Sequence, residues 1–247
     1  MSLRVRLLPF LICVLVAGVC LRLAWWQYDR LAQRRAANAV ALAARAEPPR
    51  AVDDPSIVAA AEYAGRRVSV TGVYDHAQEL VLRGRGYREV PGVEVVTPLR
   101  IAGHDTAVLV NRGFVPSADA GTVDLSALDE PGRVTVHGIA FPIRENGDSG
   151  RPVPIGGRET WARLDLAGLR ARLPYPVAPI VIWQSPDSAL PGMPRRLEPP
   201  ALDDGPHFSY MIQWIAFAVI FLGGGVIVLR RPVRGAGVET EREGTTE

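Results

Sequence analysis

Two long apolar blocks near the ends of the chain dominate its pattern of hydrophobic and polar positions. The first covers residues 7–26 and the second covers residues 211–229. A bilayer core about 30 Å thick is crossed by roughly 20 helical residues, so each block predicts a transmembrane helix. Arg22 lies one helical turn before Trp25 and Trp26, which suits an interface where its guanidinium snorkels outward. The second block contains no charge and is the cleaner prediction.

The first block has a second interpretation, a cleaved signal peptide. Signal peptidase requires small residues before the cleavage site, and no convincing Ala-x-Ala follows the block. Cys20 is a poor lipoprotein site because Val19 stands where a small residue is expected. The pattern therefore favours an uncleaved membrane anchor.

Basic residues next to the two blocks predict the orientation of the chain. Arg4 and Arg6 precede the first block, and three arginines, Arg230, Arg231 and Arg234, follow the second. By the positive-inside rule both ends then lie in the cytoplasm. Four arginines after the first block argue the other way: Arg22, Arg30, Arg34 and Arg35. The acidic segment 202–207 before the second block decides for cytoplasmic termini.

The residues between the blocks change from helical to strand-like patterning. The Ala- and Arg-rich run 31–42 extends the first helix, which should end before Glu47. Alternating or short apolar runs then predict at least six strands, at 67–74, 79–82, 92–101, 106–111, 133–140 and 179–183. Leu164–Leu173 is the candidate internal helix, and Pro- and Gly-rich stretches at 142–157 and 186–206 predict long loops.

The expected fold class is a membrane protein with two transmembrane helices flanking an extracytoplasmic β-rich domain of α+β type, with a small barrel as one arrangement. The predicted divisions are a cytoplasmic N-terminus (1–6), transmembrane helix 1 (7–26), the β-rich domain (27–206), transmembrane helix 2 with its outer entry (207–229) and a cytoplasmic tail (230–247). The expected location is the bacterial cell membrane.

Composition narrows the class of function. In 247 residues, 28 basic and 26 acidic side chains leave a net charge of +2, which disfavours a nucleic-acid binder. Two cysteines exclude a disulfide framework and a four-thiolate metal site. Cys13 and Cys20 are seven residues apart on one face of the first helix, so we interpret them as small packing residues.

A search for catalytic motifs predicts that the chain is not an enzyme. Gly84-Arg-Gly86 lacks the third glycine of a dinucleotide fingerprint and is interpreted as a turn between strands. No serine lies in a Gly-x-Ser-x-Gly elbow, and the four histidines lack metal-ligand spacing. The acidic pairs Asp53-Asp54 and Asp203-Asp204 are interpreted as solvated loop residues.

The chain contains five short segments, at residues 23–30, 97–99, 108–116, 161–165 and 207–214, that resemble motifs of the Surfeit locus protein 1 family, the cytochrome oxidase assembly factors. Leu23-Ala-Trp-Trp-Gln-Tyr-Asp-Arg30 is similar to the family's Leu-Gly-x-Trp-Gln-x-x-Arg motif. Thr97-Pro-Leu99 and Val108-Leu-Val-Asn-Arg-Gly-Phe-Val-Pro116 resemble its Thr-Pro-Leu strand and its Val-Asn-Arg-Gly-Trp-Val-Pro segment. Trp161-Ala-Arg-Leu-Asp165 and His207-Phe-Ser-Tyr-Met-Ile-Gln-Trp214 are similar to its internal-helix and second-helix motifs. Ala24 and Phe114 depart from the usual Gly and Trp.

The resemblance implies a non-enzymatic helper in the biogenesis of haem-copper cytochrome c oxidase. Its implied partners are the oxidase subunits, above all the catalytic subunit, together with the lipid bilayer and haem a synthase. The resemblance implies that the protein itself binds haem a transiently as a cofactor. Otherwise it implies that the protein holds the catalytic subunit open while haem a enters. The alternative is a permanent accessory subunit of a respiratory complex. An extracytoplasmic sensor is disfavoured because the tail after Arg234 is short.

Candidate site residues lie at the outer ends of the two apolar blocks. His207, Tyr210, Met211 and Trp214 follow helical spacing, and Trp26 and Gln27 of the first block are expected at similar depth. These aromatic rings and one imidazole suit a flat macrocycle whose iron takes a nitrogen ligand. The alternative is an interfacial histidine that only binds a headgroup or a carbonyl.

A second set of motif residues is expected to be structural: Arg30, Arg112, Gly113, Trp161 and Asp165. Gly113 is predicted to end a strand with a backbone angle that other residues avoid. Arg112 would then anchor that turn through a carboxylate or several carbonyls, the alternative being a solvated arginine at the strand end.

Overall fold

The structure is a computed structural model that describes residues 3–145, 151–199 and 201–230, with side chains described from Leu7 onward. Residues 231–247 of the predicted cytoplasmic tail, which include Arg231 and Arg234, lie outside the described residues, as do the side chains of Arg4 and Arg6. The chain divides into two compact units, one formed by Met1–Asn38 with Asp203–Glu247 and the other by Ala39–Leu202.

The described part of the chain contains four α-helices, two short 3-10 helices (Pro55–Ile57 and His76–Gln78) and nine strands. The helices are α1 (Leu3–Ala46), α2 (Ala60–Tyr63), α3 (Leu166–Arg172) and α4 (His207–Arg230). The strands are β1 (Arg50–Ala51), β2 (Arg67–Tyr74), β3 (Leu80–Tyr87), β4 (Val90–Arg100), β5 (Ala107–Pro116), β6 (Arg133–Pro142), β7 (Val153–Ile155), β8 (Arg158–Trp161) and β9 (Val177–Gln184).

Helices α1 and α4 are both long and apolar enough to cross a membrane. Only 17% and 11% of their apolar stretches are buried, which distinguishes them from the core helices of a soluble domain. α1 continues past the predicted span to Ala46, and so the predicted helical extension through residues 31–42 is confirmed.

Small residues form the contact between α1 and α4. Ala17, Cys20 and Ala218 are buried together, with Trp214 packed against them. A Cβ atom at Gly225 would lie 3.0 Å from the Cβ of Cys13, so glycine lets the two backbones approach closely there. This contact agrees with the prediction that both cysteines are packing residues.

Five strands of the β-rich unit close into a small barrel in the order β2-β6-β9-β5-β4. Antiparallel pairing of Val73 and Tyr74 with Arg100 and Leu99 joins β4 back to β2 and completes the closure. β3, β8 and β7 continue the sheet beyond β4, and β1 adds to β2. The largest fully buried apolar side chains of the unit include Leu80, Leu99, Leu109, Phe114, Trp161, Leu169, Ile180 and Ile182.

The fold class expected from the sequence is confirmed, because two membrane-capable helices flank a β-rich domain that contains a small barrel. All six predicted strands are present, and the internal helix is α3. β1, β7 and β8 were not predicted, and β7 lies inside the stretch predicted as a loop. Gly84 does not form a turn between strands, since it lies within β3 at a bulge, with φ at +69°.

Candidate functional site

The helical unit brings two motif residues together at the start of α4. Gly205 takes a positive φ of +66°, and its N–H donates to the Asp203 carboxylate. The carbonyl of Pro206 then accepts from the Tyr210 N–H, which begins the helix. His207 is therefore the first residue of α4, where the chain turns into the helix.

His207 is hydrogen-bonded to Gln27 of α1. The distance from the His207 Nδ1 atom to the Gln27 Oε1 atom is 2.8 Å, and Gln27 is only 8% exposed. Among the described residues, none forms a hydrogen bond with the other ring nitrogen, Nε2. The histidine is thus bonded on one nitrogen and open on the other.

Exposed ion pairs connect the segment before α4 to α1. Arg34 and Arg35 pair with Asp203 and Asp204 at 3.3 and 2.8 Å, and the Asn38 amide donates to the Asp203 carbonyl at 2.8 Å. Asp203 and Asp204, predicted as solvated loop residues, are therefore exposed but paired. Their contacts hold the chain that leads into His207.

The other residues predicted around His207 have different surroundings. Trp214 packs into the contact between the helices, whereas Tyr210 is 48% exposed. Trp26 is 42% exposed, and the Arg30 guanidinium lies 5.7 Å from its ring centroid. The structure thus brings His207 and Gln27 into contact and directs Trp26 and Tyr210 to the outside of the helical unit.

The chemistry of this pair fits a nitrogen ligand for a metal. A neutral imidazole binds metals through one nitrogen while the other donates to an oxygen, which fixes the ring. His207 has that arrangement if Nδ1 carries the hydrogen, because the Gln27 carbonyl oxygen only accepts. His207 would therefore be the residue that offers a nitrogen ligand to a haem iron.

A different polar cluster lies inside the β-rich unit, and a β-bulge creates it. Val95 pairs with Gly113 and Val96 pairs with Asn111, so Arg112 is the extra residue of β5. Gly113 has a φ of +120°, as the sequence predicted, but β5 continues to Pro116 and does not end there. The bulge turns the Arg112 side chain inward, where it is fully buried.

Arg112 is bonded to four different groups in this interior. It donates to Glu79 at 2.7 Å, to Glu130 at 2.8 Å and to the carbonyl of Leu128. Thr97 lies 3.4 Å from its Nη1 atom and also donates to Glu79 at 2.7 Å. Arg112 is therefore anchored by carboxylates and a carbonyl, and it is not a solvated arginine.

A second buried arginine, Arg196, completes the cluster. It donates to Glu130, to Gln184 and to the carbonyl groups of Pro191 and Pro194. Its position follows from the bulge, because Phe114 pairs with Arg195 through two backbone hydrogen bonds of 2.8 Å. Two arginines and two glutamates balance their charges in this buried cluster, which we call the Arg112 cluster (Glu79, Thr97, Arg112, Glu130 and Arg196).

His76 borders the Arg112 cluster and lies close to two carboxylates, as a metal ligand would. The hydrogen bonds of these residues nevertheless argue against a metal site. His76, Glu79 and Asp129 offer ligand atoms that all lie within 4.8 Å of one another. However, the same Glu79 oxygen already accepts from Arg112, Thr97 and His76. The His76 Nε2 atom accepts from the Glu130 N–H at 3.1 Å. A cation would have to displace these donors, and we interpret His76 as structural.

Tyr74 lies next to Arg112 but, unlike the residues of the Arg112 cluster, its side chain forms no hydrogen bond with a described residue. The Arg112 guanidinium lies 5.1 Å from the Tyr74 ring centroid, but the buried hydroxyl has no hydrogen-bond partner among the described residues. Burial, together with the nearby Glu130 carboxylate, raises the pKa of Tyr74 well above its usual value.

Trp161 and Asp165 organise the internal helix, as the motif suggested. Asp165 is the N-cap of α3, and its carboxylate accepts from the Gly168 N–H at 2.9 Å. Trp161 ends β8 and is buried, and a Cβ at Gly168 would lie 2.9 Å from its ring. Both residues therefore have packing and capping roles.

The comparisons with known proteins cover most of the chain. The model described as the SURF1 family matches residues 14–219. A SURF1-like protein of Monosiga brevicollis is 31% identical over 233 residues, which is 87% of this chain and 85% of that protein.

Vertebrate relatives match over a shorter length. Surfeit locus protein 1 of Rattus norvegicus is 29% identical over 183 residues, which is 68% of this chain and 58% of that protein. Surfeit locus protein 1 of Homo sapiens is 28% identical over 184 residues, which is 68% of this chain and 60% of that protein. The alignments thus span less than two thirds of the rat and human proteins.

Proposed function

The chain belongs to the SURF1 family, and from this membership we propose that it is an assembly factor for haem-copper cytochrome c oxidase. In this role it assists the insertion of haem a or stabilises the catalytic subunit during biogenesis, without catalysing a reaction of its own. The motifs at residues 23–30, 97–116, 161–165 and 207–214 support the proposal, since they follow the order of the family's motifs.

The observation that carries the haem part of the proposal is the hydrogen bond between His207 and Gln27. Both residues lie in motifs that resemble the family, and the bond leaves one imidazole nitrogen open. Haem a is the cargo in this proposal, and His207 is the residue that would hold its iron. The exposed aromatic rings of Trp26 and Tyr210 on the same unit offer apolar surface to a macrocycle.

The proposal includes a location and a set of partners. The protein crosses the plasma membrane of a bacterium twice, with both termini in the cytoplasm and the β-rich domain outside. Its partners are the catalytic subunit of the oxidase, haem a synthase and the bilayer, and it has no role in nucleic-acid binding. The exposed apolar side chains of α1 and α4 support contact with lipid.

The test of the haem part compares the full chain with His207→Ala after purification from cells that make haem a. We expect wild-type protein to retain haem, and His207→Ala to lose it while remaining inserted in the membrane. His137→Ala, at an exposed position on β6, is the matched control and should retain haem. Equal haem content and equal oxidase levels in all three would contradict the proposed ligand.

The stoichiometry of the mature oxidase separates an assembly factor from a permanent accessory subunit. An assembly factor should be substoichiometric in purified oxidase and should associate with precursors of the catalytic subunit. One copy for each mature oxidase would instead establish the accessory subunit.

The proposed topology is tested with single cysteines in a Cys13→Ala, Cys20→Ala background. Ser188→Cys, in an exposed loop of the β-rich unit, should react with a membrane-impermeant maleimide in intact spheroplasts. Thr246→Cys should react only after lysis. The reverse labelling would contradict the orientation.

A further inference from the structure

We infer that Gln27 is a positioning residue that holds His207 with its hydrogen on Nδ1, so that Nε2 is the atom available to iron. The inference rests on the proposed function for its ligand, but its central claim concerns the imidazole tautomer of the protein itself. The sequence placed Gln27 near a haem pocket and did not assign it this role.

The first argument is the identity of the bonded atoms. The Gln27 atom that faces the ring is Oε1, which can only accept a hydrogen bond, and it lies 2.8 Å from Nδ1. In a neutral imidazole only one nitrogen carries hydrogen. Donation from Nδ1 to Gln27 therefore leaves the lone pair on Nε2.

The second argument is that Gly205, two residues before His207, places no side chain against the ring edge that bears Nε2. A Cβ atom on Gly205 would lie 3.5 Å from His207 Cδ2 and 3.8 Å from Nε2, in van der Waals contact with this edge. Gly205 has no such atom, and its φ of +66° favours glycine there. Gln27 of α1 thus bonds one ring nitrogen, and Gly205, before α4, adds no side chain next to the other.

The third argument is the burial of the bond. Gln27 is almost completely buried in the helical unit, so water competes weakly for its carbonyl oxygen. A hydrogen bond from the second ring nitrogen orients a metal-binding imidazole and increases the basicity of the ligating nitrogen. Gln27 should therefore control both which nitrogen binds iron and how strongly it donates.

The first measurement needs no haem. Nitrogen-15 NMR of the histidine-labelled full chain in detergent, at a pH where imidazole is neutral, reports which ring nitrogen carries hydrogen. His207→Ala identifies the His207 signals. We expect hydrogen on Nδ1 in wild type and in Gln27→Glu, whose carboxylate can only accept. Gln27→Leu should shift His207 toward the Nε2–H form, and Gln33→Leu, at an exposed glutamine of α1, should not.

The second measurement adds ferric haem a to wild type, Gln27→Leu, Gln27→Glu and Gln33→Leu. Loss of an outer-shell hydrogen bond typically costs 10–100-fold in metal affinity, so Gln27→Leu should bind about 10-fold weaker or more. Gln27→Glu should bind haem and lower its midpoint potential, because a carboxylate strengthens donation from Nε2. Gln33→Leu should match wild type in affinity and potential.

The outcomes separate this inference from the proposed function. Hydrogen on Nε2 in wild type, or an unchanged tautomer in Gln27→Leu, would overturn the role of Gln27 whether or not haem binds. Equal haem affinity and potential in wild type, Gln27→Leu and Gln27→Glu would also overturn it and leave haem binding intact. No haem binding to wild type would refute the haem part of the proposed function and Nε2 as its ligand atom, while the tautomer measurement would still decide what Gln27 does to the ring.

Discussion

Polar side chains meet in the interior of both units of this chain, but the two contacts differ in how completely their atoms are bonded. In the β-rich unit, Arg112 donates to two carboxylates and a carbonyl, and the Glu79 oxygen that it reaches accepts three hydrogen bonds. In the helical unit, His207 uses one ring nitrogen for Gln27 and leaves the other open.

The difference separates groups that hold the fold together from a group that can bind a ligand. A buried charge has to be paired, because an unpaired one costs several kcal/mol, roughly 3–5 when one partner is removed. The donors around Glu79 and Glu130 are already used in this way, so a ligand gains little by entering. A neutral imidazole tolerates one open nitrogen at low cost and keeps it for a metal.

The largest expected effect is on the Arg112 cluster. Arg112→Met removes the cation that Glu79 and Glu130 share and leaves the buried Glu79 without an arginine partner, whereas Glu130 keeps Arg196. We expect the free energy of unfolding to fall by about 3–5 kcal/mol. Arg112→Lys keeps the positive charge but loses the planar guanidinium that donates to several acceptors at once, so its loss of stability should be intermediate. Denaturant unfolding of the full chain in detergent, followed by near-ultraviolet circular dichroism, measures both.

The matched control is Arg170→Met, because Arg170 pairs with Glu145 at 2.6 Å on the surface. An exposed pair contributes about 0–1 kcal/mol, so this variant should stay close to wild type. If Arg112→Met reduced the free energy of unfolding no more than Arg170→Met does, the Arg112 cluster would not have the structural role that distinguishes it from His207.

Gly113→Ala tests how the bulge builds that cluster. Its φ of +120° is strained for alanine, and the new Cβ would collide with the backbone of Arg195. Such strain costs about 1–3 kcal/mol, and displacement of the Arg195 segment should also disturb Arg196. Gly132→Ala is the control, since its φ is +89° but no atom lies within 4 Å of the added Cβ. Equal losses of stability would show that the contact with Arg195 is unimportant.

The pattern of the sequence predicted elements whose signal is local. Strand β2 has the predicted bounds because its residues alternate between buried and exposed, and α3 begins after the Asp165 cap. β8 was missed because Arg158-Glu-Thr-Trp161 is short and polar. It becomes a strand by pairing with β7 on one side and with β3 on the other, so part of its signal lies in a distant segment of the chain.

The same distinction explains which site residues could be predicted. Gln27 and His207 were placed at similar depth by counting from the apolar blocks, and the structure joins them across 180 positions. The partners of Arg112 carried no such signal. Glu79 precedes an apolar run, and Glu130 and Arg196 lie in loops, so only the closure of the barrel brings them together. Their burial as a charge-balanced set could not be inferred from spacing.

Gln27→Leu should affect stability far less than Arg112→Met. It removes one hydrogen bond, typically worth about 0.5–1.5 kcal/mol, and leaves no buried charge unpaired. Thermal unfolding of the full chain, followed by loss of helical circular dichroism, measures this, with Gln33→Leu as the exposed control. A loss as large as that of Arg112→Met would show that the Gln27–His207 contact is itself a main support of the fold.

Tyr74→Phe, next to Arg112, should have the smallest effect on stability at neutral pH. The Tyr74 hydroxyl is buried without a hydrogen-bond partner among the described residues, and such a group costs about 1–3 kcal/mol of desolvation. Removing it should leave stability at pH 7 unchanged or slightly increased. Tyr175→Phe is the contrast, because that hydroxyl donates to Asp75 at 2.7 Å, and its loss should destabilise by about 1 kcal/mol.

The pH dependence of the same variant sharpens the test. Burial raises the pKa of Tyr74 above the usual value of about 10, so the folded state holds the phenol proton more tightly than the unfolded state. That contribution is fully present below about pH 10 and is lost as the pH rises further. Wild type should therefore lose stability relative to Tyr74→Phe above pH 10, measured by denaturant unfolding at pH 8, 10 and 11. Parallel curves for the two proteins would contradict the raised pKa of Tyr74. A clear loss of stability in Tyr74→Phe at pH 7 would instead show that the hydroxyl has a hydrogen-bond partner.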